Sequence, residues 1–93
     1  MGREAIVDGA VALGVLLQRL ASAGVTTSIV MIDGQLVMPN ATPPAAWSDV
    51  RLKTPAGTFA LKRRGAAVAV VAFGNADEAA TAMQDRIAAA LRP

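Results

Sequence analysis

Five bases, Arg51, Lys53, Lys62, Arg63 and Arg64, stand within residues 49–64, a stretch whose single acid is Asp49. At that density lysine and arginine attract phosphates and carboxylates, so the chemistry on offer is salt-sensitive anion binding. Formal net charge is only +2, which makes the excess of positive charge local rather than global. The carboxylates offer less. Asp33 precedes Gly34, and Asp-Gly is what a tight hairpin turn with positive φ selects. Asp77, Glu78 and Asp85 fall on a helical surface, and no other group joins them to make a carboxylate pair or a cation cage. The chain has no histidine, cysteine or tyrosine. It therefore lacks the groups most used for proton transfer near neutral pH, along with the thiolate and imidazole ligands of transition metals. No phosphate loop, dinucleotide fingerprint, nucleophile elbow or metal spacing is present. The reading is of a non-catalytic protein with no cofactor and no metal site.

The stretch that carries these bases also predicts its own geometry. Val50 and Leu52 alternate with Asp49, Arg51 and Lys53, while Phe59 and Leu61 alternate with Thr58, Ala60 and Lys62, the period-2 pattern of half-buried strands. Thr54-Pro55-Ala56-Gly57 supplies the turn, with proline presetting one φ and glycine tolerating a positive one. The resulting register sets Leu52 opposite Phe59, Val50 opposite Leu61, Arg51 opposite Ala60 and Asp49 opposite Lys62. A further turn at Arg64-Gly65 sets Leu61 opposite Val68 and Phe59 opposite Val70. The second face of that last strand then carries Ala67, Ala69, Val71 and Phe73, which is not a solvent-facing composition.

Four other segments must support this meander. Residues 4–21 read as a helix whose stripe is Ile6, Ala10, Leu13, Leu17 and Leu20, widened by Val7, Val11 and Leu16. Ala10 and Gly14 on one side suggest close packing on the sheet, and Gly24 a C-terminal stop. The β-branched run 26–32 and the turn Asp33-Gly34 predict a hairpin pairing Met31 with Leu36 and Ile29 with Met38. Those four form its core side, and Val30, Ile32 and Val37 its outer side. The proline-rich connector 39–46 contains Asn40-Ala41-Thr42, a glycosylation pattern that reads as accidental, and leads to Trp47, which is expected to cover one end of the core. The last helix is expected to open on Asn75 with Glu78 three residues later. Its stripe is Ala76, Ala80, Met83, Ile87 and Leu91. Glu4 and Asp8 argue against a cleaved signal, and no apolar run is long enough to span a bilayer, so the expected location is cytoplasmic.

With 93 residues and a hydrophobic fraction of 54%, the chain is long enough for one core, and association that hides further apolar area would help so small a domain. The expected fold is α+β in the order α-β-β-β-β-β-α, a five-stranded antiparallel sheet with both terminal helices on one face. The uncovered face would carry Val30, Ile32, Val37, Ala67, Ala69, Val71 and Phe73 beside Arg51, Lys53, Lys62 and Arg64, with Arg63 completing the basic hairpin as a candidate anion-binding residue. Two functions follow. The first is a protein-interaction module that self-associates, most simply as a twofold dimer, through this face or the edge of the final strand. The second is a polyanion or nucleic-acid binder that uses the basic hairpin. Against the second, aromatic residues are only 3% of the chain, which leaves Trp47 and Phe73 as the stacking platforms.

Overall fold

The computed structural model describes residues 4–8, 12–37, 46–74 and 77–92. The elements run β1 Glu4–Asp8, α1 Leu13–Ser22, β2 Ser28–Ile32, β3 Gln35–Leu36, β4 Asp49–Thr54, β5 Gly57–Arg64, β6 Ala67–Ala72 and α2 Glu78–Leu91. The strands form one antiparallel sheet in the order β1-β6-β5-β4-β2-β3, so its edges are β1 and the two-residue β3. The α+β class, the antiparallel sheet and the two helices on one face are as expected, but the sheet has six strands rather than five. The difference lies in residues 4–8. The short apolar run Ala5-Ile6-Val7 between Glu4 and Asp8 does not distinguish strand from helix by its period, and pairing with β6 decides between the two. Val7 stands opposite Val68 and is 3% exposed, whereas Ile6 stands opposite Ala69 and is 49% exposed. β6 is consequently an interior strand, and its edge is closed.

The β4-β5 register is the expected one, from Asp49 opposite Lys62 to Lys53 opposite Thr58, extended by Thr54 opposite Gly57. Thr54 Oγ1 tightens that turn by donating to the Gly57 carbonyl at 2.8 Å and accepting from the Ala56 N–H at 3.1 Å. The β5-β6 ladder is shifted by two residues from the expected one, with Leu61 opposite Val70 and Phe59 opposite Ala72. The turn residues are Gly65 and Ala66, with Arg64 opposite Ala67 and positive φ at Gly65 alone, the sign pattern of a type II′ turn. Because the shift is even, every side chain keeps its face.

The β2-β3 hairpin closes as expected, Met31 opposite Leu36 and Ile32 opposite Gln35, with φ of 50° at Asp33 and 82° at Gly34. Its faces are not as expected. A bulge between Ile29 and Met31 sets Ile29 opposite Leu52, Met31 opposite Arg51 and Ile32 opposite Val50. Ile29 and Ile32 thus pack on the core, and Met31 and Leu36 move to the outer face. Met38 lies outside the described residues.

Leu13, Leu16 and Leu20 of α1 and Ala80, Met83, Ile87 and Leu91 of α2 join Val7, Val50, Leu52, Phe59, Leu61, Val68 and Val70 in one core cluster. Full burial of each large aliphatic side chain stabilises by roughly 1.5–3 kcal/mol. Trp47 is buried within the cluster, at 3% exposure. The α1 helix ends in a Schellman arrangement, Gly24 N–H donating to Ala21 and Val25 N–H to Leu20, with Gly24 at φ 76°. Gly14 is exposed, and a Cβ there would meet nothing within 4 Å, so it marks no close helix approach. The N-cap of α2 is Asp77, whose carboxylate accepts from the Ala80 N–H at 2.8 Å. Asn75 and Ala76 lie outside the described residues, as do Ala10, Val11 and the connector 39–45. No helix among the described residues is long and apolar enough to cross a membrane.

Candidate interaction surface on the open sheet face

Alternation along the central strands puts their core residues on one face and sends the intervening ones to the other, where no helix among the described residues packs. Three rows cross this outer face. One runs Leu36, Met31, Arg51, Ala60 and Val71 from β3 to β6. The next runs Asp49, Lys62, Ala69 and Ile6, and the third Arg64, Ala67 and Asp8. Phe73, whose N–H donates to the Thr58 carbonyl at 3.0 Å, continues β6 beyond these rows.

Ala60 and Ala69 are fully buried although they face outwards. Each is a methyl group between longer neighbours, Ala60 between Arg51 and Val71, Ala69 between Lys62 and Ile6. They form the floor of a shallow apolar trough along β5 and β6. Its sides include Ile6 and Phe73, 49% and 42% exposed, and Leu36 at 85% stands out on the β3 edge. The Arg51 guanidinium lies 4.8 Å from the Phe73 ring centroid, and its Nη1 lies 3.6 Å from Met31 Sδ. Arg51 therefore reaches across Ala60 and is held at both ends of its guanidinium by soft, polarizable groups.

Of the residues expected at an interface, Ala69, Val71 and Phe73 are together on this face. Ile32 packs against the core instead. Val30 is the bulged residue, half-buried, its carbonyl accepting from the Val37 N–H at 3.3 Å. The sequence reading missed Met31 and Leu36, which the bulge turns outwards, and Ile6, which belongs to a strand rather than a helix. The apolar run Ala5-Ile6-Val7 does not alternate, so no period-2 signal in the sequence placed Ile6 on this face. The bases expected on the outer face are found there. Arg51, Lys53, Lys62 and Arg64 share the outer face, while Arg63 stands opposite Val68 on the core side, at the exposed end of the hairpin.

The face is electrically divided. Asp8 marks the β1 edge, and the four bases lie on β4 and β5, with the uncharged β6 row between them. A second concavity of about 490 Å³ opens between the helices, lined in part by Val15, Gln18, Arg19, Ser22 and Arg92. Its Arg19 is already engaged, donating to the Leu91 carbonyl at 3.1 Å at the C-terminus of α2. Among the described residues, no three histidine, cysteine or carboxylate side chains come together as metal ligands would. Comparison of the chain with protein-family models, with curated proteins and with solved structures finds no match.

Proposed function

We propose that this protein is a non-catalytic interaction module that associates with a second copy of itself through the open face of its sheet. The observation that carries this reading is the group of apolar side chains Val71, Phe73 and Ile6 on a sheet face that no helix among the described residues covers, Val71 half-buried and the other two exposed. Large apolar side chains grouped in the open are uncommon on small monomers. The test is the molecular mass by sedimentation from about 1 to about 200 µM, a span that covers weak to moderate affinities. The mass is expected to rise towards twice the monomer value, and Val71→Asp to return it to the monomer. A monomeric mass throughout would overturn the reading.

A second reading is favoured by one observation, the sharing of a single face by Arg51, Lys53, Lys62 and Arg64. Four cations spaced over two strands are suited to successive phosphates of a polyanion. It ranks second because both stacking platforms are occupied: Trp47 is buried in the core, and Phe73 lies under the Arg51 guanidinium. Anisotropy of a labelled oligonucleotide at low salt tests it, and an unchanged signal would dismiss it.

A further inference from the structure

We infer that the free edge of β1 takes up an extended, basic segment of a partner protein as a further strand of the sheet. The site is the rim of the sheet rather than its open face, and it stands whether or not two copies associate. The backbone groups on offer follow from the phase of the ladders. Phe73 N–H donates to the Thr58 carbonyl, so within β6 Ala69, Val71 and Phe73 turn their N–H and C=O groups towards β5, while Val68 and Val70 turn theirs towards β1. Arg63 N–H, donating to the Ser48 carbonyl, gives the complementary phase on the other side of β5. Val68 stands opposite Val7 and Val70 opposite Ala5, so these two residues of β1 use their backbone groups on β6. Glu4, Ile6 and Asp8 therefore aim theirs away from the sheet, at an edge that no strand among the described residues covers.

Three observations specify the occupant. The template is already ordered, since Val7 is buried in the core cluster and Ala5 packs against it, so a partner strand does not have to fix β1 on arrival. Ile6 and Asp8 are exposed beside the free backbone groups, at the centre and at one end of the edge. The strand Glu4–Asp8 includes two acids and no base. A second β1 is a poor occupant for that reason. Antiparallel pairing centred on Ile6 would set Asp8 at the register position of the acid at residue 4, and a shift of two residues avoids this only by giving up one of the bonded pairs. A strand with an apolar residue opposite Ile6 and a base opposite Asp8 meets no such conflict. In strand addition the main-chain bonds supply affinity and the alternate side chains supply specificity. The other edge of the sheet offers less, because β3 has only two residues.

The probe is the peptide Lys-Thr-Val-Thr-Lys, flanked by glycines and blocked at both ends, with Gln-Thr-Val-Thr-Gln as its uncharged counterpart. Each is titrated into the isotope-labelled full chain at low salt and followed by backbone amide shifts. The lysine peptide is expected to bind saturably below about 1 mM, with its largest shifts in β1, and the glutamine peptide to bind at least about threefold more weakly. Ile6→Pro removes one N–H from the free edge and none from the ladder to β6, so it is expected to keep the fold and weaken the lysine peptide by about tenfold or more. Val7→Pro, which removes a ladder donor, is expected to lower the melting temperature far more than Ile6→Pro does. Asp8→Asn leaves the backbone alone and is expected to narrow the difference between the two peptides, a result that decides the charge preference even if Ile6→Pro fails to fold. Absence of saturable binding up to about 1 mM, shifts confined to other strands, or unchanged affinity in a folded Ile6→Pro chain overturns the edge site. Equal affinity for both peptides, or a difference that Asp8→Asn leaves untouched, overturns the basic occupant.

Discussion

Asp33 does more than close its turn. Its Oδ1 accepts from the Ser48 N–H at 2.9 Å and the Asp49 N–H at 2.8 Å, and its own N–H donates to the Asp49 carbonyl at 2.7 Å. One side chain thereby joins the end of β2 to the start of β4 across the connector. It also sits at φ 50°, a conformation that aspartate and asparagine adopt more readily than other residues with a Cβ. Asp33→Ala removes the acceptor and keeps the backbone requirement, so it is expected to lower stability by about 1–3 kcal/mol. Asp33→Asn, which keeps an acceptor oxygen and the tolerance for positive φ, is expected to cost less than half as much. Urea denaturation of the two variants checks this, and equal losses would mean that the carboxylate charge, which both variants remove, dominates over the acceptor and the turn conformation, which Asn keeps. Gln84 has a similar role inside the core. Only 2% exposed, it donates Nε2 to the Val70 carbonyl at 2.8 Å and ties α2 to β6. Gln84→Leu is expected to lose about 1–3 kcal/mol in the same measurement, because a buried carbonyl loses this donor.

At the scale of elements, the segments that proved legible are those where alternation and turn chemistry agree. β4 and β5 pair as their residues dictate, since any odd slip would bury Arg51 or Lys53, and α2 buries Ala80, Met83, Ile87 and Leu91 at helical spacing. The illegible parts were settled by contacts distant in sequence. In β2 the turn end is held to Ser48 and Asp49 while Ile29 pairs with Leu52, and the one residue too many between those points bulges at Val30. Propensity has no term for that mismatch. The outer face was half legible for the same reason: its β6 row followed from alternation, whereas Met31 and Leu36 reached it only through the bulge. In β1, five residues carry a pattern that either a strand or a helix can use, and the open side of β6 selects the strand. The two alternatives make opposite demands on neighbouring residues. With β1 as a strand, Val7→Ala is expected to cost about 1–3 kcal/mol and Ile6→Ala less than about 1 kcal/mol. A larger loss for Ile6→Ala in chemical denaturation would return this segment to a helix.

At the scale of the whole molecule, the sheet separates two kinds of surface. Its inner face, with both helices, encloses the core, and its outer face combines an apolar trough with charges of opposite sign at either side. Salt distinguishes the two uses open to that outer face. Contact between copies, as proposed, would be driven by Val71 and Phe73, which salt does not weaken, and modulated by the flanking charges, which salt screens over about 10 Å at 0.1 M. Its dissociation constant is therefore expected to change by less than about tenfold between 50 and 500 mM salt, the screening of those charges being partly offset by strengthened apolar burial. A polyanion held by the four outer-face bases would behave otherwise. Releasing about four counterions gives a logarithmic slope near −3.6, so the same tenfold rise in salt would weaken binding by more than roughly a thousandfold. Sedimentation across that salt series is expected to give the shallow dependence, with Phe73→Ala weakening association at every salt concentration by a similar factor. A steep loss of the dimer, insensitive to Phe73→Ala, would place the binding energy in the charges and leave the trough without a part in it.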